Sequence, residues 1–139
     1  AIPGARIGYF VCSDPQYNSA ITSQLIEWNA SNLAQAAAMT ALDETGEYID
    51  KAVKLIRQER PRLVAALKKA GFKVPAFETD ANYIFFSGPK GLKDKFIEKK
   101  IFIRDCSNYY GLKEGDYRIA VRDENANTQF IEALENLDV

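Results

Sequence analysis

IFIRDCSNYYGLKEGDYRIAVR, residues 101–122, sets two short apolar runs, 101–104 and 117–122, on either side of a polar loop. β-Branched and aromatic residues dominate both runs, so each reads as a strand and the loop as their connection. Side chains alternate along a strand, which puts Tyr117, Ile119 and Val121 on one face and Arg118, Ala120 and Arg122 on the other. In the partner run Ile101 and Ile103 oppose Phe102 and Arg104. The apolar sets are core, and the opposite face carries arginines that want an anion.

Downstream, residues 125–137 form an amphipathic helix with Phe130, Ile131, Leu134 and Leu137 on one side. Upstream, NYIFFS (82–87) is a strong strand, 73–76 a weak one, and 92–99 a short helix behind the turn residues Gly88 and Pro89. Before these lies a long helix over 47–70 whose apolar residues Ile49, Ala52, Val53, Ile56, Leu63, Val64 and Leu67 recur at helical spacing. Pro61 inside it predicts a kink or a break near Glu59, and Gly71 closes it. A further helix is expected over 33–42, capped by Ser31 or Asn32, and another from Asp14-Pro15 to about Trp28. RIGYFVCS (6–13) reads as a strand covered on both faces, and Trp28 as a core anchor. The order is strand, two helices, long helix, then β-β-α-β-β-α. That is an α/β chain whose second part is an α+β two-layer sandwich. The expected boundary gives 1–44, one strand and two helices, and 45–139, the small domain.

With 47% hydrophobic and 27% charged residues in 139, the chain is in the globular range, and a net charge of -1 disfavours a nucleic-acid binder. No apolar run has the length of a membrane span, so no membrane partner is expected, and the reading is cytoplasmic. Cys12 and Cys106 are expected as buried thiols, without a metal set or disulfide framework. Histidine is absent, which removes Ser-His and Cys-His mechanisms made by this chain alone. The chain starts without methionine directly at a strand-like run, as in a piece of a longer polypeptide.

Arg118 and Arg122 lie ~13 Å apart along one strand and cannot clamp one small anion together. Arg104 and Arg118 converge if their strands pair, and two guanidinium forks suit a doubly anionic small molecule. The competing reading pairs these arginines, and Arg6, with nearby carboxylates at the surface: Asp105, Asp116 or Asp123. Tyr109 and Tyr110 read as covers for the loop. Gly88-Pro89-Lys90-Gly91 lacks the spacing of a phosphate-binding P-loop.

Three stretches resemble the class I/II aminotransferases, the fold type I enzymes that use pyridoxal phosphate. Gly4-Ala5-Arg6-Ile7-Gly8-Tyr9 is similar to the run that follows the Schiff-base lysine in that family, and NASNLAQAAAMTAL (29–42) to a helix start there. IRDCSNYYGLKEGDYRIAVR (103–122) is the most specific and resembles the branch holding threonine-phosphate decarboxylases and histidinol-phosphate aminotransferases. The resemblance implies the small domain with a short piece of the large one, and pyridoxal 5'-phosphate as cofactor. It implies Arg6 on the cofactor phosphate, Arg118 on the substrate carboxylate and Arg104 on the phosphate of a small phosphorylated amino acid. It gives Arg122 no role. The lysine, the pyridinium aspartate and the ring-stacking aromatic are expected before Ala1, so no catalytic residue is expected within the chain, and the full-length protein is expected as a homodimer. A stand-alone anion-binding module and a dimerisation domain are the alternatives from other functional classes.

Overall fold

The structure is a computed structural model describing residues 2–43, 45–76, 79 and 81–137. It divides into two compact units, Ala1–Ile49 and Asp50–Val139. Glu44, at the expected boundary, lies outside the described residues.

In the first unit Pro3–Ala5 makes a 3-10 turn, followed by α1 (Pro15–Thr22) and α2 (Asn32–Asp43). Asp14 caps α1 by accepting from the Gln16 amide at 2.8 Å, with Pro15 at the first helical position. Ser31 Oγ accepts from the Ala34 amide at 3.2 Å at the start of α2. Four expectations fail here. Residues 6–13 form no strand: a strand covered on both faces needs neighbours to pair with, and none pairs with it among the described residues. Helix α1 stops at Thr22 rather than near Trp28, which is 96% exposed and anchors no core in this chain. Cys12 is exposed, and only Cys106 is buried.

Helix α3 (Thr45–Lys69) runs unbroken through Pro61. The bond that proline removes belongs to the carbonyl of Arg57; both residues are exposed, so water can take that acceptor and the break does not occur. Of its apolar stripe only the later part is core: Leu63 and Leu67 are buried, while Ile49 and Val53 are exposed. Gly71, with φ +83, ends the helix in a Schellman motif. Its amide donates to Lys68 O and that of Phe72 to Leu67 O, both at 3.0 Å.

The second unit carries a three-stranded antiparallel sheet in the order β1-β3-β2, from β1 (Tyr83–Ser87), β2 (Arg104–Asp105) and β3 (Asp116–Ala120). The expected weak strand over 73–76 survives only as a bridge between Lys73 and Ser87. Helices α4 (Leu92–Glu98) and α5 (Glu124–Glu135) complete the unit. One face of the sheet is apolar: Ile84, Phe86, Ile103, Tyr117, Ile119 and Val121 pack with Leu63 and Leu67 of α3, Phe96 of α4, and Phe130 and Leu134 of α5. Ring pairs Phe72–Phe86 and Phe96–Phe130, at 5.6 and 5.1 Å between centroids, tie the layers together. Tyr117 is 1% exposed. Its hydroxyl donates to Pro89 O at 2.9 Å and accepts from the Leu92 amide at 3.3 Å, so the polar end of this core side chain is satisfied at the start of α4.

Candidate anion-binding face

With one sheet face committed to the helices, the other is left open. Strand period puts Tyr83, Phe85, Arg118 and Arg104 on it, and the register makes Arg118 the cross-strand partner of both Phe85 and Arg104. The expected convergence of Arg104 and Arg118 is therefore the observed pairing of β2 with β3. Asn82, Tyr83, Phe102, Arg104, Arg118, Ile119 and Ala120 line a groove of 470 Å³ there. None of these is acidic. Phe102, 83% exposed, forms part of its wall.

Among the described residues no arginine forms an ion pair with Asp105, Asp116 or Asp123, each of which accepts other hydrogen bonds. Asp105 accepts from the Ser107 amide at 2.8 Å, which with the Ser107 side chain holds its carboxyl below the usual range. Asp116 is buried and accepts from Ser87 Oγ at 2.7 Å and the Lys113 amide at 3.0 Å; these bonds lower its pKa. Asp123 caps α5 through the Ala126 amide at 2.9 Å. Among the described residues neither Arg104 nor Arg118 forms an ion pair with a carboxylate.

Neighbouring aromatic and amide groups hold the arginines instead. Arg118 Cζ lies 4.9 Å from the centre of the Tyr83 ring, and Arg104 Cζ lies 5.4 Å from that of Tyr109. Arg104 Nη2 also donates to Asn108 Oδ1 at 2.9 Å. Arg60, on α3, fixes the start of β1: its Nη1 donates to Ala81 O at 2.8 Å and Tyr83 O at 2.7 Å. The buried Cys106 thiol sits beside the pair, its pKa raised by burial against the opposing pull of Arg118 and Arg104. Arg122 is exposed and lines no part of the groove.

Arg6 belongs to the first unit, exposed and in the left-handed region at φ +53, a conformation that costs a non-glycine residue about 1 kcal/mol. Among the described residues it has no hydrogen-bond or ion-pair partner.

Tyr83, Asn108 and Arg60 were not singled out from sequence, and Tyr109 only as a loop cover. Tyr83 had one available signal, since strand alternation excludes it from the core face of NYIFFS. The others depend on register and loop path, which residue order does not specify.

The sequence signature of the family aminotransferase class I and II matches residues 1–134. The chain is 30% identical to the threonine-phosphate decarboxylase of Salmonella typhimurium, over 99% of this chain and 38% of that protein. It is 33% identical to the histidinol-phosphate aminotransferase of Paenarthrobacter aurescens, over 99% of this chain and 35% of that one. In structure it resembles the histidinol-phosphate aminotransferase from Clostridium acetobutylicum, with TM-score 0.82 and 32% identity over 97% of this chain and 41% of that chain. It also resembles L-threonine-O-3-phosphate decarboxylase from Porphyromonas gingivalis, with TM-score 0.78 and 29% identity over 96% and 42%. The chain thus spans about two fifths of the length of these relatives, and its mixed helix and strand fold is that of fold type I aminotransferases. It belongs to the class I and II aminotransferases.

Proposed function

We propose that this chain is part of a longer pyridoxal-phosphate enzyme and supplies the face that binds a small phosphorylated amino acid, in a threonine-phosphate decarboxylase-like reaction. The observation that carries the reading is the cross-strand pair Arg104 and Arg118, free of carboxylates and lining one groove. Arg118 takes the substrate carboxylate and Arg104 the substrate phosphate, each through charge-assisted bonds. Arg6 takes the cofactor phosphate, which its unpaired donors and exposure support.

Bound pyridoxal phosphate supplies an electron sink for a carbanion at the substrate Cα. This chain's contribution is orientation. A substrate gripped by its side-chain phosphate leaves its carboxylate to be set by Arg118 alone, and the angle of that carboxylate selects the bond to break. By fixing that carboxylate, Arg118 would decide whether the Cα–H bond or the bond to the carboxylate is the one that the cofactor, when bound, activates. Histidinol-phosphate aminotransferase activity is the second reading, favoured by the 33% identity to the Paenarthrobacter enzyme. There the amino donor has no carboxylate and Arg104 takes its phosphate, while Arg118 takes a carboxylate of the 2-oxoglutarate acceptor. In both readings the chain comprises residues 1–44 of a large domain and a small domain of 45–139, is inactive alone, and works within a cytoplasmic homodimer.

The full-length protein is assayed for CO₂ release from threonine phosphate and for amino transfer from histidinol phosphate to 2-oxoglutarate. The leading reading expects the first, with Arg118→Ala lowering kcat/KM about 100-fold, or about 3 kcal/mol. Amino transfer from histidinol phosphate without CO₂ release from threonine phosphate overturns it in favour of the second. Unchanged cofactor retention in Arg6→Ala overturns the Arg6 assignment.

A further inference from the structure

Two guanidinium groups at one register position repel each other, and like charges directly opposite weaken a strand pair. The order β1-β3-β2 dictates where they can go, since β1 borders β3 on the side away from β2. Arg118 crosses toward β1, over Tyr83, whereas Arg104 turns to Tyr109 and Asn108 in the loop after β2. Tyr83 is the register partner of Ala120, two residues along from Arg118, so its ring reaches the guanidinium on the diagonal. Its own backbone is pinned by Arg60 at 2.7 Å. Among the described residues the Arg118 guanidinium has no hydrogen bond or ion pair, and the Tyr83 ring is what it rests on.

We propose that Tyr83 is a positioning residue: its ring holds the Arg118 guanidinium on the β1 side of the groove, away from Arg104. The groove then presents two separate anion stations rather than one pooled site. This rests on the functional reading above, which needs a carboxylate and a phosphate of one molecule to be gripped at the same time. The attraction is between the cation and the ring face, so it needs no hydroxyl, and phenylalanine should replace tyrosine while leucine should not.

The test is calorimetric titration of the full-length protein with O-phosphoserine, which carries both anions, and with methyl phosphate, which carries one. Wild type, Arg104→Ala, Arg118→Ala, Tyr83→Phe and Tyr83→Leu are compared, each with a thermal melt. Tyr83→Leu is expected to weaken O-phosphoserine about three- to fivefold, with Tyr83→Phe within about twofold of wild type. Methyl phosphate is expected to depend on Arg104 and to be unmoved by Tyr83→Leu, which mere loss of structure would not produce. If Arg118→Ala abolishes O-phosphoserine binding while Tyr83→Leu matches wild type, the positioning role is overturned and the functional reading stands. Equal losses in Tyr83→Phe and Tyr83→Leu, or equal losses of both ligands in Tyr83→Leu, also overturn it. No O-phosphoserine binding by wild type removes the arginine assignments and this inference together.

Discussion

Asn127→Leu removes a buried amide that clamps the end of β3 to α3 and α5. Asn127 is 2% exposed. Its Nδ2 donates to Glu59 Oε2 at 2.9 Å and to Arg122 O at 2.7 Å, while its Oδ1 accepts from the Arg122 amide at 3.1 Å. The opposite amide orientation would set an oxygen against two acceptors, so the network admits only this one. The bond to the Glu59 carboxylate is worth about 1.5–3 kcal/mol and each bond to the Arg122 backbone about 0.5–1.5 kcal/mol. Leucine recovers about 1 kcal/mol by burying apolar surface in nearly the same volume. Glu59 keeps Arg62, at 3.1 Å, as its remaining partner. The expected net loss is about 2–4 kcal/mol, read from urea unfolding followed by far-UV circular dichroism. Asn127→Asp should cost more at neutral pH, because it brings a second carboxylate against Glu59. A loss below about 0.5 kcal/mol for the leucine variant would refute the clamp, since ordinary surface substitutions do as little.

Three other outcomes follow from the same structure. Asp116 has its pKa lowered from 3.8 by Ser87 and the Lys113 amide, so its stabilisation is present above that unfolded value and is lost as pH falls through the lower folded value. Urea midpoints should drop over that acidic window in wild type and less in Asp116→Asn, which costs about 0.5–1.5 kcal/mol at neutral pH: its oxygen still accepts from the Lys113 amide, while Ser87 Oγ must turn from donor to acceptor and both bonds lose their charge. Gly115→Ala, at φ +100 with the new Cβ 2.9 Å from the Gly88 carbonyl oxygen, should cost about 2–4 kcal/mol. Gly91→Ala, at φ +73 with open space around the Cβ, should cost about 1 kcal/mol, and equal melting temperatures for these two variants would contradict the steric argument. Pro61→Ala restores the amide that Arg57 lacks and should raise stability by about 1–2 kcal/mol in the same urea assay, after allowing for a less constrained unfolded chain.

What could be read from residues alone was whatever depends on short range. Alternation gave the two faces of β3, and with them both the core set and the arginine face. Asp14-Pro15, Ser31 and Gly71 marked helix ends, because a cap acts on atoms within a few residues of itself. Register and sheet order could not be read the same way. The neighbour of Arg118 on one side comes from β1, with α4 and β2 intervening in the chain, so Tyr83 beneath its guanidinium is a long-range fact. The failure at residues 6–13 has a related cause: an apolar run shows that a segment wants cover on both faces, but a strand also needs a neighbour for its hydrogen bonds. Asp105, Asp116 and Asp123 looked like natural partners for the arginines by proximity, yet backbone amides and Ser87 claim them first.

Ala34 is the buried apolar residue among those described in the first unit, whereas every member of the hydrophobic cluster belongs to the second. Helices of 8 and 12 residues without a core beneath them are near the limit at which an isolated helix persists in water. Protease susceptibility should therefore be lopsided. Chymotrypsin should cut early at the exposed Tyr9, Phe10, Tyr17 and Trp28, and trypsin at Arg6, the one basic residue of 2–43, while sites within the hydrophobic cluster resist. Every stability change forecast for the core then reports on the second unit, which holds that cluster.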